Sequence, residues 1–163
     1  METRAEITVR SRLSAPADAV WARVVTPAGI NDEMRPLLRM TVPKGLGDLG
    51  IEGVVPGEPV GRSWILLFGL VPFDYDDLLL ERIEPGRGFL ERSTMLSQRL
   101  WEHERTIEPL GEGECLVTDR VAWEPRPPLP GALLAPLIGA FFRHRHARLR
   151  RRFADPPAAA PGE

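Results

Sequence analysis

Hydrophobic and polar positions alternate along most of the chain and switch to helical spacing near its two ends. Residues 6–13 put Ile7, Val9 and Ser11 on one side and Thr8, Arg10 and Arg12 on the other, the period of a half-buried strand. The next stretch changes period. Ser14 as a cap, Pro16 in the first turn, Asp18 near the positive end, and Val20, Trp21 and Val24 at helical spacing predict a helix reaching about Val25. Thr26 followed by Pro27 predicts a second short helix over 28–34, a cap with proline at the first helical position. Residues 37–42 read as a strand. The glycine-rich segment 43–62 offers only 51–55 as a strand candidate. Strand-like runs follow at 63–70, 75–84, 89–97, 99–109 and 115–124. Turn signals such as Glu84-Pro85-Gly86-Arg87-Gly88 and Gly111-Glu112-Gly113 separate them. A proline-rich connector over 125–130 leads into a terminal helix. Its apolar stripe is Leu134, Ile138, Phe142, Leu149 and Phe153, and Pro136 marks a kink or a start.

The order is strand, two short helices, several antiparallel strands and one long helix, an α+β arrangement. A single antiparallel sheet has one face to bury, and only the terminal helix is long enough to cover it. A curved sheet around a helix leaves a space between the two, so a pocket is expected there.

Composition bounds this picture. The 163 residues, 43% hydrophobic and 27% charged, suit one globular domain over 1–153, with Ala154 to Glu163 as a disordered tail. The formal net charge of -2 argues against nucleic acid as the main partner. That near-neutrality combines an acidic body with a basic end, since six arginines lie between Arg143 and Arg152. With Cys115 as the one cysteine, neither an intramolecular disulfide nor a four-cysteine zinc site can form. The start shows no apolar signal region, so a cytoplasmic location is expected. The apolar runs 64–73 and 131–142 fall short of the roughly 18 residues a spanning helix needs, and no transmembrane segment is expected.

Some features resemble sites but lack the context. Gly45-Leu46-Gly47-Asp48-Leu49-Gly50 has dinucleotide-loop spacing, but Ile51-Glu52-Gly53-Val54-Val55-Pro56 opens no helix to hold a pyrophosphate. His144 and His146 are two apart and do not share a helix face, and no other spacing suits a metal. Cys115 has no neighbouring base and reads as a small buried residue. No metal and no cofactor is expected.

The informative chemistry lies on two strands. Over 99–109, Trp101, His103, Arg105 and Ile107 share one face; over 115–124, Cys115, Val117, Asp119, Val121 and Trp123 do. These are the more apolar sets and should point inward. With a three-residue turn, Asp119 lies across from Ile107 and diagonal to Arg105. A buried charge must be paired or hydrogen-bonded. Arg105 and Asp119 are therefore either a structural ion pair with His103 beside it, or a polar patch that orients a ligand in an apolar cavity. His146 lies between Phe142 and Leu149 on the helix stripe and can face the same space; His144 should face solvent.

Four segments carry a family resemblance: 7–30 (ITVRSRLSAPADAVWARVVTPAGI), 101–109 (WEHERTIEP), 113–125 (GECLVTDRVAWEP) and 141–153 (FFRHRHARLRRRF). Together they resemble the SRPBCC superfamily of START and birch-pollen-allergen-like helix-grip proteins, in particular its bacterial polyketide cyclase/dehydrase-like branch. His103, Asp119 and Arg145 stand where that branch carries a histidine, an aspartate and a helix arginine. The resemblance implies a curved seven-stranded antiparallel sheet wrapped around a long C-terminal helix, with two short helices after the first strand and a hydrophobic cavity inside. Fold alone does not set function.

The leading expectation is binding of a hydrophobic or aromatic small molecule, lipid- or polyketide-like, between sheet and helix. The expected ligand-contacting residues are Trp64, Phe68, Trp101, His103, Arg105, Asp119, Val121, Trp123, Ile138, Phe142 and His146. The first alternative is a cyclase-like enzyme in which His103 is the acid or base, Arg105 stabilises an oxyanion and Asp119 orients one of them. The second is peripheral membrane or protein contact through Arg143 to Arg152, against the plainer reading of that run as a solvated helix face.

Overall fold

A computed structural model describes residues 4–47, 49–127 and 130–154. The elements are β1 (Ala5–Leu13), α1 (Ala17–Val24), α2 (Pro27–Met34), β2 (Leu38–Met40), β3 (Pro59–Leu67), β4 (Val71–Glu84), β5 (Gly88–Met95), β6 (Gln98–Pro109), β7 (Cys115–Pro125) and α3 (Ala135–Arg152). The strands form one antiparallel seven-stranded sheet in the order β1-β7-β6-β5-β4-β3-β2. Sequential hairpins build it from β2 to β7, and β1 returns to close the far edge. The sheet curls, and α3 lies in its concave face. Apart from Ala154, the tail expected to be disordered lies outside the described residues.

Local chemistry explains most of the boundaries. Thr26 caps α2, its Oγ1 accepting the Gly29 N–H at 3.1 Å with Pro27 in the first turn. Pro136 stands in the first turn of α3, where it costs no hydrogen bond, and a single 3-10 turn (Gly131–Leu134) leads into it. Ser14 caps nothing: α1 starts at Ala17 after Pro16, with no side-chain cap. The expected strand over 51–55 is instead a 3-10 turn, Gly50–Gly53, packed under α1. Two glycines of the loop serve close packing there. A Cβ on Gly45 would sit 2.2 Å from the Val60 carbonyl oxygen, and one on Gly50, at φ +60, 2.0 Å from that of Val25.

The strand expected over 63–70 ends at Leu67, because Phe68 and Gly69 turn the β3–β4 hairpin at φ 53 and 73. This also inverts one expected side-chain direction. Ser63 and Ile65 occupy the inner face of β3, so Trp64 points outward and meets Tyr75 edge-on at 5.5 Å between ring centroids.

The interior holds two apolar clusters along α3. One joins Leu13, Val20, Trp21, Val24, Ile107 and Leu149 beneath α1. The other gathers Val121, Trp123 and Phe142 with Trp101 and Ile138 packed against them. On β7, Val117 belongs to the first cluster and Val121 to the second; Asp119 lies between them on the same face.

Candidate functional site: a charged network behind an apolar cavity

Asp119 is fully buried, and three side chains converge on its carboxylate through four nitrogens. Its Oδ1 accepts from Arg105 Nε at 2.8 Å and lies 2.8 Å from His103 Nε2. Its Oδ2 accepts from Arg105 Nη2 at 2.6 Å and lies 2.8 Å from His146 Nε2. An ionised carboxylate only accepts, so both imidazoles donate to it from Nε2. Ser11 lies 2.9 Å from His146 Nδ1, and its hydroxyl oxygen accepts from Arg150 at 2.6 Å. The register differs from the expected one. Pro109 pairs with Cys115, and the Leu110 N–H donates to the Glu114 carbonyl, so the three-residue turn is Gly111-Glu112-Gly113, centred on Glu112, and Arg105 is directly opposite Asp119.

The other edge of the Arg105 guanidinium reaches Glu33 of α2, Nη1 to Oε1 at 2.6 Å and Nη2 to Oε2 at 3.0 Å. Arg145 of α3 donates to the same carboxylate from Nε at 3.0 Å. Two guanidiniums thus balance two carboxylates inside the protein, binding sheet, α2 and α3 together. Burial alone would raise both acids. For Asp119, Arg105 and His103 outweigh burial and hold it well below the usual carboxylate range; for Glu33, Arg105 and Arg145 outweigh burial and lower it.

In front of this network lies a cavity of about 670 Å3, walled by the sheet, α2, α3 and the β2–β3 segment. Met34, Ile65, Leu78, Phe89, Trp101 and Ile138 give it an apolar surface. Exposed Val42, Phe68, Phe73 and Leu137 lie where the lining meets solvent. Of the residues expected to contact a ligand, Phe68, Trp101, His103, Arg105 and Ile138 line this space. Asp119, Val121, Trp123, Phe142 and His146 are fully buried outside its lining. Phe142 packs edge-on against His103 at 5.1 Å, and Trp123 donates its indole N–H to the Gly131 carbonyl. Trp64 is on the outer face and does not reach the cavity.

The sequence reading missed Glu33, Asp76, Glu91 and Gln98, all buried on the cavity side or in the network. Three of them carried a signal. Glu33 is three residues after Ile30 and beside Met34, on the apolar face of α2. Asp76 has the parity of Leu78 and Leu80 on β4, and Glu91 that of Phe89 and Met95 on β5. The basic end of α3 is only partly a solvated face. Arg145 is buried, Arg148 donates to the Asp32 carbonyl, Arg150 binds Ser11, and His144 contacts the Arg35 carbonyl at 2.6 Å.

Sheet, helix and cavity together define a START-like helix-grip fold, α+β with the sheet curled on its C-terminal helix. The chain belongs to the family described as a domain of unknown function, DUF8410, which matches residues 11–153. Similar folds recur in solved structures at low identity. A START superfamily protein from Mycobacterium smegmatis superposes with a TM-score of 0.68 at 14% identity, covering 91% of this chain and 96% of its own. The Zhui aromatase/cyclase from Streptomyces sp. R1128 gives 0.68 at 11% identity, covering 91% and 93%. Truncated norcoclaurine synthase from Thalictrum flavum gives 0.65 at 11%, covering 94% and 96%. No curated protein matches the chain in sequence. Among the described residues no helix is long and apolar enough to cross a membrane, and no cluster of residues suits a metal ion.

Proposed function

We propose that this protein binds a hydrophobic or aromatic small molecule, lipid- or polyketide-like, in the cavity between sheet and α3. The observation that carries this reading is the cavity itself, about 670 Å3 with an apolar lining, inside the size range of small-molecule sites. Burial of apolar ligand surface supplies the affinity. The fold it shares with a START superfamily protein and an aromatase/cyclase supports the same reading. A cytoplasmic setting goes with it, in keeping with a single, buried cysteine. The test is titration of the full chain with the fluorescent apolar probe N-phenylnaphthylamine, with native mass spectrometry of freshly purified protein. Saturable binding that Ile138→Trp blocks supports the reading. Absence of both binding and a co-purified small molecule overturns it.

A second reading, a cyclase-like enzyme, is favoured by one observation. His103 is on the cavity wall with Nε2 fixed by Asp119, which leaves Nδ1 as the nitrogen available for proton transfer. Four of the five Arg105 N–H groups are committed to Asp119 and Glu33, so in this reading only the second N–H of Nη1 is left to act as the oxyanion donor. Turnover of a poly-β-ketone that is lost in His103→Gln while probe binding persists supports catalysis. Equal turnover in the variant removes it.

A further inference from the structure

One end of the cavity wall is acidic. Asp74 and Asp76 on β4 and Glu91 on β5 all line the cavity and are all buried. Asp74 is accounted for: Oδ1 accepts the backbone N–H groups of Tyr75 and Ser97, and Oδ2 accepts the Ser97 hydroxyl. Glu91 Oε1 accepts the Ser93 hydroxyl at 2.9 Å, and its Oε2 stands 3.9 Å from His103 Nδ1. Among the described residues, two buried acceptors of this wall have no partner. They are Oδ1 of Asp76, a residue 3% exposed, and Oε1 of Gln98, 5% exposed. Both residues line the cavity, and Gln98 is tied to this corner through its bond to the Ser97 hydroxyl.

Buried acceptors without donors are costly, and buried carboxylates without cations more so. Among the described residues no arginine or lysine forms an ion pair with Asp74, Asp76 or Glu91. The two cavity arginines, Arg105 and Arg145, are already bonded to Glu33 and Asp119. Among the described residues this corner therefore has no arginine or lysine partner, and the two free oxygens have no donor.

We propose that Asp76, Glu91 and Gln98 form a subsite for a protonated amine, so that the ligand is an apolar or aromatic molecule carrying an alkylammonium group. An ammonium has three donors, no acceptor and one positive charge. It can donate to the free oxygens of Asp76 and Gln98 and offsets one unit of the negative charge on this wall. A hydroxyl has one donor and no charge, and a carboxylate ligand brings further negative charge to an acidic wall. Burial and the neighbouring Glu91 raise Asp76 well above the usual carboxylate range, so it holds its charge only at a cost that a bound cation removes.

The inference rests on the cavity reading, and the experiment separates the two. Three probes of one shape are titrated into the full chain: naphthylethylamine, propylnaphthalene and naphthylpropanoate. Propylnaphthalene tests the cavity, and the ratio among the three tests the subsite. The ammonium is expected to bind at least about tenfold more tightly than the neutral probe, a difference of about 1.4 kcal/mol, and the carboxylate more weakly than both. In Asp76→Asn/Glu91→Gln the ammonium preference disappears while propylnaphthalene affinity is retained, which also shows that the variant folds. Equal affinity of the ammonium and neutral probes, or a preference that survives the double substitution, overturns the subsite and leaves the cavity reading standing. Failure of propylnaphthalene to bind overturns both.

Discussion

Arg105 stands directly across from Asp119 on the adjacent strand and closes its guanidinium on both carboxylate oxygens, while the opposite edge of the same group holds Glu33. One fully buried cation thus joins two acids that lie 72 and 14 residues from it in sequence. Arginine is suited to this because its planar fork presents donors along two edges, which an ammonium cannot do.

Removing that fork leaves two buried carboxylates without their main partner. Arg105→Met is expected to lose about 3–5 kcal/mol of stability, read from urea unfolding. Arg105→Lys recovers only part of it. A loss below about 1 kcal/mol would show that the network contributes little.

The acids of the network set an acid limit. Glu33 and Asp119 are both held below their ordinary values in the folded state. Such groups stabilise the fold above the unfolded-state pKa of about 4 and lose that contribution as pH falls through and below it. Melting temperature should therefore drop steeply on acidification below about pH 4. In Glu33→Gln that drop is shallower, and stability at neutral pH is already lower.

Asp76 works in the opposite direction. Its pKa is raised by burial and by Glu91, so the unfolded chain gives up the proton first. Stability falls as pH rises above the unfolded value of about 4 and levels off above the folded one. Asp76→Asn should raise the melting temperature at neutral pH, by about 2–4 °C per kcal/mol relieved, and leave it unchanged near pH 3, where wild type is protonated in both states. An equal shift at both pH values would assign the effect to packing.

Phe142 and Ile138 occupy successive turns of α3, but only Ile138 lines the cavity. Phe142→Ala opens a void in a filled cluster and is expected to cost about 3–5 kcal/mol in chemical denaturation. Ile138→Ala extends an existing space and should cost less than half as much, with weaker binding of an apolar probe as its main effect.

The sheet was legible because alternation on β6 and β7 is nearly unbroken, and because inward His103, Arg105 and Asp119 stood out among apolar neighbours. The register was not, since alternation does not fix the centre of the turn: one centred on Glu112 sets Asp119 opposite Arg105, and one centred on Gly113 sets it on the diagonal. Trp64 misled because an exposed aromatic has the same composition signal as a buried one; its parity with Ser63 and Ile65 settles only when the strand's inner face is known. Glu33 was hidden because its partner is a guanidinium far along the chain, and a charge in a short helix reads as solvated unless its position beside Ile30 and Met34 is weighed. Asp76 and Glu91 were hidden in the same way, as ordinary charges on strands that face water on one side only.

The ion network between the two apolar clusters gives the interior a division of labour. The close-packed clusters along α3 and beneath α1 hold the fold, the guanidinium bridge keeps α2 and α3 at fixed standoff from the sheet, and the space this props open carries little of the structural burden. Substitutions at lining positions outside the clusters, such as Ile65 on β3 and Met95 on β5, can then change what the chamber accepts without dismantling the scaffold. A protein built this way can acquire new ligand preferences by single steps at such walls, which belong to neither cluster, while Leu80, Phe89 and Arg105 face the guest and keep the walls standing at once.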